Sequence, residues 1–140
     1  MTTAYILIAD SHRARCFERE TVGGTLVELE DFVSPHGKLA REGHGRTAHA
    51  GTQFEPATSE AGKERARFAQ QIADHLNAAV AEHRARSLIL IATSPMLGEI
   101  EPRLTKAAAL AVTHKVDKDL THFTGPELTE RVKKALDASA

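Results

Sequence analysis

The chain has 140 residues and carries 18 Lys and Arg against 19 Asp and Glu, a formal net charge of −1. That length implies one domain over residues 1–140 with room for a real core, and near-neutrality excludes a bulk polyanion binder, so any nucleic-acid surface must be a local patch. The one cysteine, Cys16, excludes a disulfide framework or a Cys-based zinc site within one chain, and the scarcity of aromatics (five Phe, one Tyr) argues against a base-stacking platform.

The N-terminus MTTAYILIADSHR holds an apolar run of only six residues, Ala4 to Ala9, with no basic segment before it. It reads as a strand covered on both faces, not as a signal peptide. No segment approaches the length of a membrane span, so no membrane insertion is expected and the cytoplasm is the expected setting. Ala14 to Glu20 suits a half-exposed strand, and Gly23-Gly24 supplies a hairpin turn. Leu26 to Val33 follows, with Val27, Leu29 and Val33 expected on one face and Glu28 and Glu30 on the other. These three segments form an antiparallel meander.

A long helix begins after Ser59, its expected N-cap, with Phe68, Ile72, Leu76 and Val80 recurring every four residues. Ser87 to Ala92 is the strongest buried-strand signal. It ends at Thr93-Ser94-Pro95, an N-cap followed by Pro at the first helical position. Pro102 interrupts the short helix that follows, and Leu104 to Ala111 adds another turn or two. Val112 to Val116 is a last short strand, and Thr124-Gly125-Pro126-Glu127 is a capping box for the final helix, whose apolar face is Leu128, Val132 and Leu136. The order β-β-β-α-β-α-β-α predicts an α/β fold: a mixed five-stranded sheet with helices on both faces. Its central strands are the first and fourth, joined by a helical crossover.

Between the third strand and the long helix lies His36 to Glu60, HGKLAREGHGRTAHAGTQFEPATSE. It contains four of the nine Gly and three of the eight His, and almost nothing that could bury a core. A structureless stretch of this length (about 36–58) is uncommon in a small domain and is usually functional or disordered. Gly permits close backbone approach and Lys/Arg neutralise phosphate, so Lys38, Arg41, His44, Arg46, His49 and Gln53 are candidate RNA contacts. Lys63 and Arg67 at the start of the helix extend the basic character. The plainer alternative is a flexible solvent loop.

Other constellations are weaker. Asp10, Glu99, Asp117 and Asp119 are a possible carboxylate set for Mg²⁺ in a ribonuclease-H-like architecture, which needs them to converge within a few Å. The plainer reading has Asp10 capping its own turn and Asp117-Lys118-Asp119 as a solvated turn. The His spacings match no closed tetrahedral pattern, so surface His is the better reading and neither a metal nor a cofactor is expected. Cys16 reads as a small core residue. Arg13, Arg15 and Arg19 read as a solvated face bridged to Glu28 and Glu30. Thr93 and Ser94 offer a generic anion site at a helix start.

The runs AYILIADSHRARCFE, LVELEDFVSPHGKL, KERARFAQQIADHL, SLILIATSPMLGEI and THKVDKDLTHFTGPEL resemble the bacterial host attachment proteins. The most specific pieces are D-S-x-x-A-R-x-F at Asp10 to Phe17 and V-D-K-D-L-T-H at Val116 to His122. The element order is also similar to the middle domain of archaeal and eukaryotic peptide release factors. There a Gly-Gly-Gln loop lies between the third strand and a long basic helix. Here GHGRTAHAGTQ leads to the helix motif RARFAQ, Arg65 to Gln70, and the nearest match to Gly-Gly-Gln is Gly51-Thr52-Gln53. The resemblance implies a non-enzymatic protein that binds the ribosome or structured RNA through residues 36–53. Its rivals are a hydrolase, of peptidyl-tRNA through Gln53 or of nucleic acid through Asp10 and metal, and a protein-interaction module linked indirectly to host attachment. Oligomeric state is not legible.

Overall fold

Two unbroken apolar runs form the middle of the sheet. The computed structural model describes residues 3–20, 24–34 and 60–139. Strand β1 (Ala4–Ala9) and strand β4 (Ser87–Ala92) pair in parallel, Ile6 opposite Ile89 and Ile8 opposite Ile91. Ile6, Leu7, Ile8, Leu88, Leu90 and Ile91 are buried to within 1%. Strand β2 (Arg13–Arg19) runs antiparallel to β1, and strand β3 (Val27–Val33) antiparallel to β2. Strand β5 (Val112–Asp117) pairs in parallel with β4. The order is β3-β2-β1-β4-β5, so the expected mixed five-stranded, ribonuclease-H-like sheet is present.

Alternation along β1 feeds two cores. Tyr5, Leu7 and Ala9 pack with Cys16, Phe68, Ile72 and Leu76 of helix α1 (Glu60–Ala81) and with Met96 and Ile100 of helix α2 (Ser94–Ile100). Ala108 of helix α3 (Lys106–Ala111) joins the same cluster. Pro102 sits in the 3₁₀ turn Glu101–Arg103 that separates α2 from α3, because it has no N–H to continue the helix. On the other face, Ile6, Ile8, Phe17, Ile89 and Ile91 pack under helix α4 (Gly125–Ser139) through Leu128, Val132 and Leu136. Each fully buried Leu, Ile or Phe contributes roughly 1.5–3 kcal/mol, so these stripes carry most of the fold.

Helix ends differ in quality. Thr105 caps α3 through its side chain, which accepts from Ala108 N–H at 3.2 Å. Thr93 stands at the N-cap of α2, with Pro95 in the first turn, but makes no side-chain cap bond. At α4 the Leu128 N–H donates to the Thr124 carbonyl, and Gly125 has φ +58°, a conformation that favours glycine. Ser59, Gly23 and the 36–58 stretch lie outside the described residues.

One expectation on β3 is overturned. Val27, Leu29 and Val33 do not share a buried face: they are 53%, 37% and 49% exposed. The register shifts between Cys16 and Phe17, which pair with Glu30 and Glu28, so Leu29 is an extra residue. Such a bulge swaps every later side chain to the other face. Val27, opposite Glu18, and Val33, opposite Arg13, therefore lie on different faces. The alternation in the sequence is real, but one inserted residue cancels it.

Candidate functional site

The two most specific runs of the sequence meet at the carboxyl ends of the parallel strands. Asp10 follows β1 and closes the turn into β2: its Oδ1 accepts from the backbone N–H groups of His12 and Arg13, both at 2.8 Å. That is the turn-capping role expected for it, and it fixes the start of Asp10 to Phe17. Asp119, two residues past β5, closes a second turn, its Oδ1 accepting from Thr121 N–H at 3.0 Å. The buried Thr121 hydroxyl links the two turns, donating to Asp119 Oδ1 at 2.6 Å and lying 3.3 Å from Asp10 Oδ2. One hydroxyl proton serves both carboxylates, and the shorter contact is the stronger.

Arg15 completes the centre. Its side chain is only 5% exposed. Nε and NH2 donate to Glu28 Oε2 and Oε1 at 3.0 and 3.1 Å, and NH1 donates to the carbonyls of Thr121 and Phe123 at 3.2 and 2.6 Å. Its guanidinium lies 5.0 Å from the Phe17 ring centre. Of the solvated arginine face expected on β2, Arg13 is near the surface but pairs with Asp31 at 2.8 Å rather than with Glu28 or Glu30. The expected bridge to Glu28 is made by Arg15, which is buried and not solvated. The Arg13 guanidinium holds the Asp31 carboxyl below its ordinary range. Among the described residues Glu30 bridges to no arginine; its Oε1 lies 3.6 Å from His75 Nδ1.

Asp10, Asp119 and His122 each bring one ligand atom within 4.8 Å of the others. Of the expected carboxylate set, Asp10 and Asp119 therefore converge. Glu99 is engaged by Arg103 at 2.9 Å and lies 3.8 Å from Arg65, and Asp117 is exposed at the end of β5. His122, which flanks the same acidic turn in the sequence, joins them as the Asp119 turn brings it round. A carboxylate has about four acceptor positions. Asp10 already uses three, for two amides and a hydroxyl. The set could hold a divalent ion through Asp119 and His122, but the bonding already present describes two cross-linked turns.

Of the candidate RNA contacts, Lys38, Arg41, His44, Arg46, His49 and Gln53 lie outside the described residues. Lys63 and Arg67 are exposed on the first two turns of α1, and Arg67 pairs with Glu64. Thr93 is half-buried and Ser94 exposed at the start of α2, a helix of seven residues. The Thr93 N–H donates to the Ala9 carbonyl at 3.3 Å, so that amide is already satisfied by β1. Cys16 is fully buried and its thiol is pushed up to about 12, first by burial and then by Glu30, as suits a core residue.

The family model described as protein required for attachment to host cells matches residues 5–132, spanning both runs that build this centre. The chain belongs to that family. No match was found among curated protein sequences. Among solved structures, an archaeal translation termination factor, aRF1, is similar with a TM-score of 0.56 and 10% identity over 97% of this chain. A second chain, titled only as an archaeal protein, reaches 0.50 with 12% identity over 97%. The Aquifex aeolicus Ppx/GppA phosphatase reaches 0.45 with 14% identity over 83%. At these identities the first two likenesses establish a shared fold. The host attachment chain spans a little over a third of each of these structures, between 36% and 38%. Among its described residues no helix is long and apolar enough to cross a membrane.

Proposed function

We propose that this member of the host attachment family is a non-enzymatic module that binds the ribosome or structured RNA through residues 36–53 and the start of α1. The observation that supports it is the place of that segment. It connects the edge strand β3 to α1, on a sheet whose fold is shared with an archaeal translation termination factor. Exposed Lys63 continues the positive charge of Lys38, Arg41 and Arg46 into the helix. Each phosphate contact by a cation releases counterions and steepens the salt dependence of binding. Replacing Lys38, Arg41 and Arg46 with Ala is expected to weaken binding to a structured RNA and to flatten its salt dependence. Unchanged affinity and slope in the triple variant would remove this segment as the electrostatic footprint.

A second reading, metal-dependent hydrolysis, draws on the convergence of Asp10, Asp119 and His122. It is less favoured, because most of the acceptor capacity of Asp10 goes to the turn and to Thr121. Mn²⁺-dependent RNA cleavage that disappears in Asp119→Asn would reinstate it. Hydrolysis of peptidyl-tRNA through Gln53 is disfavoured for a different reason. Thr52 is β-branched where the release-factor loop has glycine, and such a residue resists the backbone conformations glycine allows. Peptide release from loaded ribosomes, lost in Gln53→Ala, would show that activity to be present.

A further inference from the structure

A cavity of about 590 Å³ opens between helix α4 and the segment that leads into it from β5. Its floor includes Leu120 and Ala135, both buried parts of the core beneath. Three cations line it: Lys118 before the turn, and Arg131 and Lys134 one turn apart on α4. Arg131 lies over the Phe123 ring, 4.2 Å from its centre, a contact that attracts the guanidinium to that side of the cavity. Its one hydrogen bond among the described residues, to Glu127, is long at 3.5 Å, so most of its five donors are unspent there. Lys118 and Lys134 are exposed, and neither forms an ion pair among the described residues. Glu130 also borders the cavity, but it borders the neighbouring depression as well and so stands on the ridge between them. With Glu127 offset by Arg131 and Glu130 by one lysine, one positive charge is left over.

We infer that this cavity binds a phosphate-bearing ligand, a phosphomonoester or phosphodiester. Lys118, Arg131 and Lys134 hold the phosphate, and the apolar part of the ligand rests on Leu120 and Ala135. A guanidinium fork and two mobile ammonium groups match the several oxygens of a phosphate. A carboxylate would use the fork and leave a lysine without a partner. The site lies on the α4 face of the sheet and does not involve residues 36–53, so its failure would leave the proposed function standing.

The test is an NMR titration of the ¹⁵N-labelled full chain with inorganic phosphate, with a nucleoside monophosphate and with an RNA hairpin. Saturable shifts are expected at residues 118–123 and along 127–138. Lys118→Ala with Lys134→Ala is expected to weaken binding about tenfold or more, since each removes a charge-assisted hydrogen bond. Lys134→Arg is expected to keep it. Both lysines are exposed, so the double variant should fold as the wild type does, which its unperturbed spectrum elsewhere would verify. The same shifts at lower RNA concentration would make polynucleotide the source of the phosphate; a response to the monophosphate alone would make it a small ester. Shifts that do not saturate, that fall elsewhere, or that persist at full affinity in the double variant would overturn the inference.

Discussion

Arg15 and His75 lie against opposite faces of the same edge pair of strands, β2 and β3, and are partnered very differently. Arg15 is nearly dry, yet four donor contacts are met, two by Glu28 and two by backbone carbonyls beyond β5. His75 on α1 stacks against Tyr5 at 6.4 Å and meets the edge of Phe32 at 5.3 Å. Its Nδ1 reaches Glu30 only at 3.6 Å, and its Nε2 is buried without a hydrogen-bond partner among the described residues. A buried charge with four of its five donors engaged cross-links the fold. A half-buried imidazole with no hydrogen bond well made among the described residues is the group whose protonation burial disfavours.

Breaking the Arg15 side of this comparison should have the largest effect. Arg15→Ala leaves Glu28 and two carbonyls without their donor and removes one of the ties between the segment 120–123 and the sheet. Loss of one partner of a buried pair costs roughly 3–5 kcal/mol, and the 38% exposure of Glu28 places this case at the low end or below. Urea unfolding of Arg15→Ala against Arg15→Lys measures it. Lys keeps the charge but cannot serve both Glu28 and the carbonyls, so it should recover only part. Equal stability of wild type and Arg15→Ala would show that the centre does not hold the fold.

The His75 side sharpens the comparison through pH. Burial first, and Arg84 to a lesser degree, lower the pKa of His75 below its ordinary 6.5, while Glu30 opposes them. The folded state therefore favours the neutral ring, and the unfolded chain binds the proton more readily. Stability from this group is fully present above pH 6.5 and is lost as pH falls below that value through the folded pKa. His75→Phe should flatten the stability profile over that window, before the carboxylates titrate. A wild-type profile that is already flat there would contradict the account.

The smallest effect concerns Cys16, on the same face as His75. With the thiol pushed up to about 12 and no exposure, iodoacetamide at neutral pH should label it only when the chain unfolds. Rapid labelling of the folded protein would show that the β2 edge opens.

How far the sequence could be read differed between these regions for physical reasons. Ala4 to Ala9 and Ser87 to Ala92 announced themselves because a strand covered on both faces needs an unbroken apolar run. The turn role of Asp10 was legible because its partners are two and three residues away. The burial of Arg15 was not, since its carbonyl partners lie 106 and 108 residues along the chain. The convergence of His122 with Asp10 was hidden for the same reason. On β3 the apolar alternation was visible, but the bulge at Leu29 depends on pairing with β2, which no local pattern encodes.

The central claim, that this is a ribosome- or RNA-binding member of the host attachment family, is tested most directly by sedimentation. Lysate from cells expressing the tagged full chain is run on a sucrose gradient at low and at moderate salt. Alongside it runs the variant with Lys38, Arg41 and Arg46 changed to Ala. The wild type should migrate with ribosomal particles at low salt and shift toward the top as salt rises, and the variant should remain near the top throughout. Wild-type protein confined to the top of the gradient, with no retention on structured RNA at low salt, would contradict the account.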